Sequence, residues 1–280
     1  MALFYSREPS DYLLTPECEL DESHPLAVGL GSFNIFYNGV PIDLVSRAPV
    51  NLPYATSSAS IDVKTSNFGH GLHLNPMGLH HYLQNNNWTK FITTNNGTMA
   101  VGAAPGPVTR GIYLASMRIG SGNRYYLQRS TAGNVAYGYA GSPTVASGPA
   151  WPISKYATVA LEWSDNNTAR AFYDGTQFHS TTGTMSGTVD TCALACVSNL
   201  PASTEYRGNF IFWWFALWNK SIGAEAHRML SENPYQMFKR PVKRRIFTPA
   251  PVITQIQLSN PAVTDIGSVS ARPIVDVSYL

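Results

Sequence analysis

Charge is scarce in this sequence. Only 13% of its 280 residues are Asp, Glu, Lys or Arg, against roughly 25% in an average globular chain. The formal net charge of +2 gives no long-range pull toward nucleic acid or an anionic membrane. Cysteine is scarce as well. Cys18, Cys192 and Cys196 are odd in number, which speaks against a disulfide framework. Cys192 and Cys196 sit in TCALACV. Four residues of strand separate them by about 13 Å, and a disulfide spans roughly 7 Å at most. Buried thiols on a strand are expected. No apolar run approaches the roughly 18 residues of a membrane helix. Residues 1–25, MALFYSREPSDYLLTPECELDESHP, carry acids where a secretory signal is apolar. A chain soluble in the cytoplasm that makes it is the expectation.

Chemistry-bearing motifs are also missing. The sequence holds no G-x-S-x-G nucleophile elbow and no phosphate-cradling glycine loop. GHGLHLNPMGLHHYL gathers His70, His73, His80 and His81. Their spacing fits no usual zinc pattern, and no Cys or acid stands nearby to complete one. On a strand His70 and His73 point to opposite faces. Asp165 and Asp174 are loop acids, but two acids do not supply the six to eight oxygens of a calcium site. No cofactor and no metal are expected.

What the sequence does hold is turn chemistry and alternation. Hydrophobic residues make up 44% of the chain, with 22 Gly, 19 Pro and 15 Tyr, a composition suited to strands and turns. GSFNIFYNG places Phe33, Ile35 and Tyr37 two apart, then turns at Asn38-Gly39. GIYLASMRIG, NRYYLQRS and NVAYGYAG follow as three short strands. The clearest hairpin is YATVALEWSDNNTARAFYDGTQF. Val159, Leu161 and Trp163 share one face, Ala169, Ala171 and Tyr173 alternate on the return, and Asp174-Gly175 turns the chain again. FIFWWFALW, Phe210 to Trp218, is apolar on both faces, as a central strand covered on both sides would be. A short amphipathic helix follows. Ser221 is its expected cap, Ile222, Ala226, Met229 and Leu230 form its apolar face, and Pro234 stops it. It reads as a lid on a β-sandwich, with Tyr235 and Phe238 folding back behind it. The fold class is all-β, a jelly-roll sandwich with one short C-terminal helix and extended terminal arms. The boundaries expected are an N-terminal arm over 1–22, a sandwich over 23–240, and a basic linker with an extended arm over 241–280.

The hairpin VALEWSDNNTARAFYDGTQF, the strand and helix GNFIFWWFALWNKSIGAEAHRML, and the opening SHPLAVGLGSFNIFYNGVPIDLV resemble laminin-G-like, concanavalin A-like jelly rolls. The ending SENPYQMFK is similar to versions met in bacteriophage proteins, and VTDIGSVSARPIVDVSYL resembles a recurring tail of phage virion proteins. The resemblance covers 23–280. It implies two packed antiparallel sheets and a role in binding glycans or other virion proteins, and it fixes no single activity. Glucanases of similar fold use a strand E-x-D-x-x-E, whose acid and nucleophile stand about 5–5.5 Å apart. The nearest text here, Glu19-Leu20-Asp21-Glu22-Ser23-His24, lacks the third carboxylate, and Glu162 is alone on its strand. No enzymatic activity is expected.

A lectin-like site would need aromatics with polar neighbours. Trp88, Tyr125, Tyr126, Tyr137 and Tyr139 are the candidates. Lys239, Arg240, Lys243, Arg244 and Arg245 put five charges in seven residues. Pro241 interrupts the run and no nucleic-acid module accompanies it, so a protein-facing strip is expected rather than DNA or RNA binding. In the last segment Ile256 and Leu258 alternate, as do Val275, Val277 and Tyr279, as in an arm that adds to a sheet edge. Together these residues describe a virion protein, a capsid decoration protein held on the major capsid protein by many modest contacts. A homotrimer is expected. The alternative is a tail- or fibre-associated, carbohydrate-binding adhesion protein directed at host-surface glycans. No membrane partner is expected.

Overall fold

The computed structural model describes residues 15–37, 40–47, 50, 62–66, 69–74, 83–84, 87–93, 95–107, 111–119, 123–138, 146–164, 168–182, 187–195 and 209–239. They fall within one unit, Met1–Pro241. His80, His81, Tyr139, Asp165, Cys196, Arg240, Lys243, Arg244, Arg245, Ile256, Leu258, Val275, Val277 and Tyr279 lie outside the described residues.

The chain folds as an all-β sandwich. Its strands are β1 (Glu19–Leu20), β2 (Leu30–Tyr37), β3 (Val40–Asp43), β4 (Asp62–Ser66), β5 (Gly69–Leu74), β6 (Leu83–Gln84), β7 (Gly97–Pro105), β8 (Ile112–Ile119) and β9 (Asn123–Arg129). They continue as β10 (Asn134–Gly138), β11 (Ala146–Ala150), β12 (Ala157–Ser164), β13 (Thr168–Tyr173), β14 (Thr176–Thr182), β15 (Val189–Leu194), β16 (Phe210–Trp218) and β17 (Phe238–Lys239). The expected C-terminal helix is α2 (Gly223–Glu232), and a single turn, α1 (Trp88–Phe91), adds a second.

The larger sheet runs β14-β13-β12-β7-β16-β2-β3, with β5 also on β16 and β4 on β5. The smaller runs β11-β10-β9-β8-β15-β6. The hairpin read from sequence forms in the expected register, with Val159 opposite Tyr173 and Trp163 opposite Ala169. Its far turn has positive φ at both Asp174 (46°) and Gly175 (76°), the requirement of the type I′ turns that suit strand twist. The strand fragment β1 pairs antiparallel with β17, Leu20 opposite Phe238, so residues expected in the N-terminal arm lie against the end of the sandwich.

Alternation sorts the side chains into two cores. Between the sheets lie Val159, Leu161 and Trp163 from β12, Phe210, Phe212, Phe215 and Leu217 from β16, and Leu114, Met117, Tyr125 and Leu127 from the smaller sheet. On the outer face of the larger sheet lie Trp213, Trp214, Ala216 and Trp218, with Phe33, Phe172 and Leu230. The strand Phe210–Trp218 therefore buries both faces, as its composition requires. A register shift between Phe212 and Trp214 marks a bulge, which puts Trp213 and Trp214 on the same side.

Helix α2 closes the outer core. Leu230 and His227 are buried, and Ile222, Ala226 and Met229 pack beside them. The expected cap Ser221 is not used. The N-cap is Ile222, which makes no side-chain cap bond, and the first helical N–H, Gly223, donates instead to Glu162 of β12 at 3.0 Å. Behind the helix, Tyr235 and Phe238 fold back onto Phe33, with ring centroids at 6.2 and 4.8 Å. Phe33 itself stacks on Trp214 at 5.6 Å. The short His24-Pro25-Leu26-Ala27 turn completes the lid. His24 Nδ1 accepts the Leu26 N–H, and the Leu26 carbonyl accepts Trp218 Nε1–H at 2.7 Å.

Candidate functional site

The outer face of the smaller sheet is polar and aromatic. Residues of β8, β9, β10 and β15 that do not enter the inner core are Tyr113, Ser116 and Arg118, then Tyr126 and Gln128, Ala136 and Gly138, and Thr191 and Ala193. Register aligns Ala193, Ser116, Tyr126 and Gly138 in one row, and Tyr113, Gln128 and Ala136 in the next. Tyr126 lies flat across β10. A Cβ added at Gly138 would sit 2.1 Å from its Cζ atom, so only glycine admits the ring there. Tyr113 packs its ring edge-on against Tyr126 at 5.0 Å and 69°. Ser116, Ala193 and Ala136 give this pair a floor of small side chains. Arg118 reaches Asp190 at 3.8 Å along the rim, both partly exposed. Two tyrosines on a small-residue floor, flanked by an amide and an ion pair, offer stacking and directional polar contact together.

Of the four described glycan candidates read from sequence, only Tyr126 is on this face, and it too is mostly buried, 7% exposed, with the less buried Tyr113 ring against it. Trp88 is a correction: it is buried, with its ring 4.8 Å from Phe215. Tyr125 stacks on Trp163 at 4.6 Å in the inner core, and Tyr137 is buried there too, its hydroxyl 2.6 Å from His179 Nδ1. Neither offers a ring to a ligand on the sheet surface. The physical reason is the two-residue period: adjacent Tyr125 and Tyr126 must take opposite faces. Tyr113, Ser116, Arg118 and Gln128 were missed: alternation in ASMRI signals Ser116 and Arg118, but a register shift between Tyr113 and Ala115 hides Tyr113 from a two-residue count.

Glu162 is the second notable group. It is 1% exposed. Its carboxylate accepts from Arg170 at 3.1 Å, from Gly223 N–H at 3.0 Å and from His227 Nε2 at 3.2 Å. Burial pushes its pKa up, but the hydrogen bond and charge of His227, with Gly223 and Arg170, outweigh this and hold it down at about 2. Burial also pushes His227 below the usual histidine range, against the pull of Glu162. His227 lies over Phe172 at 3.8 Å. The cluster joins helix to sheet, and no second carboxylate is among its partners.

The other candidates have structural partners. His73 Nε2 is 2.8 Å from Asn209 Oδ1, and among the described residues no group of His, Cys or acid could hold a metal. Lys239, first of the basic run, pairs with Asp21 at 2.8 Å and pulls that carboxyl down to about 2. Asp174 accepts the Thr158 N–H. Cys18 and Cys192 are buried thiols. Among the described residues no helix is long and apolar enough to cross a membrane.

No family model and no curated protein matches the chain. Solved structures do. A sialidase of Trypanosoma rangeli in complex with 2,3-difluorosialic acid matches at 12% identity and a TM-score of 0.59, over 75% of this chain and 33% of that one. The same enzyme with 2,3-difluoro-KDN matches at a TM-score of 0.60, with 12% identity, over 82% of this chain and 38% of that one. The binding domain of Paraclostridial Mosquitocidal Protein 1 matches at 11% identity and a TM-score of 0.57, over 75% of this chain and 53% of that one. The chain spans about a third of the sialidases' length, 33% in the first. At these identities the likeness is one of fold: a β-sandwich of the kind found in sialidases and in a toxin's binding domain. The expectation that the chain is not an enzyme is corrected by the same matches, because this fold recurs within enzymes. None of these three structures is of a phage protein, so the phage resemblance gains nothing from them.

Proposed function

We propose that this chain is a carbohydrate-binding β-sandwich that holds saccharides on the outer face of its smaller sheet. The observation that carries the reading is the Tyr113–Tyr126 pair, seated on Ser116 and Gly138 and flanked by Gln128 and the Arg118–Asp190 rim. Tyrosine offers an apolar ring and a polar tip at small conformational cost. The fold likeness to a toxin's binding domain and to sialidases agrees with a module that brings a larger protein to its glycan.

Titration of the full chain against a panel of neutral and acidic oligosaccharides tests it. Saturable binding, weakened at least about tenfold by Tyr113→Ala with little change in melting temperature, is the expected result. Binding that ignores Tyr113→Ala, or no binding across the panel, overturns it.

A second reading comes from the C-terminal phrase VTDIGSVSARPIVDVSYL. It places the same sandwich on a phage particle, as a trimeric decoration protein on the capsid or as a tail adhesin. Quantitative mass spectrometry of purified particles against the major capsid protein separates these. Near-parity means capsid decoration, a few copies mean the tail, and absence removes the virion setting.

A further inference from the structure

We infer that the end of the sandwich at Arg129 is a second binding site, built for a carboxylate-bearing ligand. This site is independent of the aromatic face. Arg129 ends β9, where alternation from Tyr125 and Leu127 turns its side chain inward, opposite Ile112 and Val135. The residue is 9% exposed. Its Nε–H donates to the Trp151 carbonyl at 2.8 Å. Among the described residues no carboxylate pairs with it, and Nη1 and Nη2 have no hydrogen-bond acceptor. Four of the five N–H donors of a guanidinium are therefore unspent.

Such a charge is out of place in a packing role. An apolar side chain would fill the end of the inner face without the desolvation penalty. Burial pushes the Arg129 pKa down, with no anion to offset it. Nη1 and Nη2 are not among the sealed polar atoms of the described residues; they reach the surface at this end, where a ligand can meet them.

The surroundings are a frame rather than a loose end. Trp151 is held three ways: its N–H donates to the Gly133 carbonyl at 2.8 Å, its carbonyl takes Arg129, and its indole N–H donates to the Lys155 carbonyl at 2.9 Å. The turn Ser130–Gly133 closes at 2.9 Å, with Thr131 and Ala132 exposed at its tip. Gly133 has φ +84°, and a Cβ there would stand 2.9 Å from Arg129 Nη2, so glycine is what lets the guanidinium lie against the turn. The exposed Lys155 ammonium stands 5.9 Å over the Tyr173 ring and adds a second positive charge to this end. The free edge of the guanidinium, Nη1 and Nη2, presents coplanar donors that match the two oxygens of a carboxylate.

The test uses phenylglyoxal labelling of arginines in the full chain, mapped by mass spectrometry. Glucuronate is the carboxylate probe; glucose, sodium chloride and inorganic phosphate at equal ionic strength are the comparisons. Glucuronate is expected to slow labelling of Arg129 about tenfold, leave the exposed Arg47 unchanged, and do the same in Tyr113→Ala. Glucose and chloride are expected to do nothing. An Arg129 that never labels, that glucose or chloride protects equally, or that phosphate protects as well as glucuronate overturns the proposal. Arg129→Lys keeps the charge and loses the planar pair of donors. It is expected to abolish the upward shift in melting temperature that glucuronate gives the unmodified chain; an equal shift in both overturns the proposal. If Tyr113→Ala loses oligosaccharide binding while Arg129 stays protected, the two sites stand apart, and failure of one leaves the other.

Discussion

On the outer face of the larger sheet, β16 presents Trp213, Trp214, Ala216 and Trp218. On the outer face of the smaller sheet, β8 presents Tyr113, Ser116 and Arg118. Both strands carry a bulge and both have their other face in the inner core. The first face is closed by α2, by the Tyr235–Phe238 segment and by Leu26, and the indoles of Trp218 and Trp214 find acceptors beside them. Trp218 donates to Leu26 and Trp214 donates to the Tyr156 hydroxyl at 2.9 Å. The second face has short and polar side chains, with tyrosines in place of tryptophans. The difference teaches that a sheet face declares its purpose by what its donors require. Indole N–H groups need a protein partner when buried, whereas a tyrosine among small polar residues suits a ligand that comes and goes.

The sharpest way to break the comparison is to remove an indole from the covered face. Trp218→Ala is expected to cost about 3–5 kcal/mol, read as a lower urea midpoint. A cost no greater than that of Tyr113→Ala would mean the outer core is not a core. Next, Glu162→Ala leaves His227, Arg170 and the Gly223 N–H without their carboxylate, and is expected to cost about 3 kcal/mol. Chemical denaturation checks it, and hydrogen exchange should show α2 opening first. On the other face, Gly138→Ala drives a Cβ into the Tyr126 ring. It is expected to cost about 1–3 kcal/mol and to weaken saccharide binding, because the ring must lift.

Acid should act on the covered face through two groups in turn. His227 has its folded pKa below the ordinary histidine value of 6.5. The unfolded chain takes up the proton first as pH falls, so this contribution is complete above about 6.5 and is lost as pH drops toward the folded pKa. Glu162, held at about 2 against 4.5, contributes fully above 4.5 and loses that contribution between 4.5 and about 2. Urea midpoints across this range should fall in both windows; His227→Gln should remove the upper fall and shrink the lower one, because His227 is the chief group holding Glu162 down. An unchanged upper window in His227→Gln would refute the assignment. The smallest expected effect on stability is Tyr113→Ala, about 1 kcal/mol for a partly buried ring, against its large effect on binding.

Much of the fold was legible. The hairpin Val159–Tyr173 was written in alternation, the Asp174-Gly175 turn in its residue types, and the double burial of Phe210–Trp218 in unbroken apolar text. Less of the candidate site was legible. Trp88 looked exposed among Asn85, Asn86 and Asn87, yet it is buried against Phe215, because local polarity says nothing about which face of a one-turn helix meets the core. The helix cap was misplaced for a related reason. Ser221 has the right chemistry for a local cap, but Glu162, far away in sequence, supplies the acceptor. Arg129 drew no notice at all, since a single arginine at a strand end reads as surface.

By itself, the sequence determined that the chain would be β-rich, where its strands and turns would fall, and that one strand would be covered on both sides. Those properties follow from steric preference and a two-residue period, which act between neighbours in the chain. Only the tertiary structure decided which tyrosine faces inward, which carboxylate caps the helix, and which arginine turns inward at the end of its strand. Each of these depends on groups brought together from distant strands, and no local pattern carries that information.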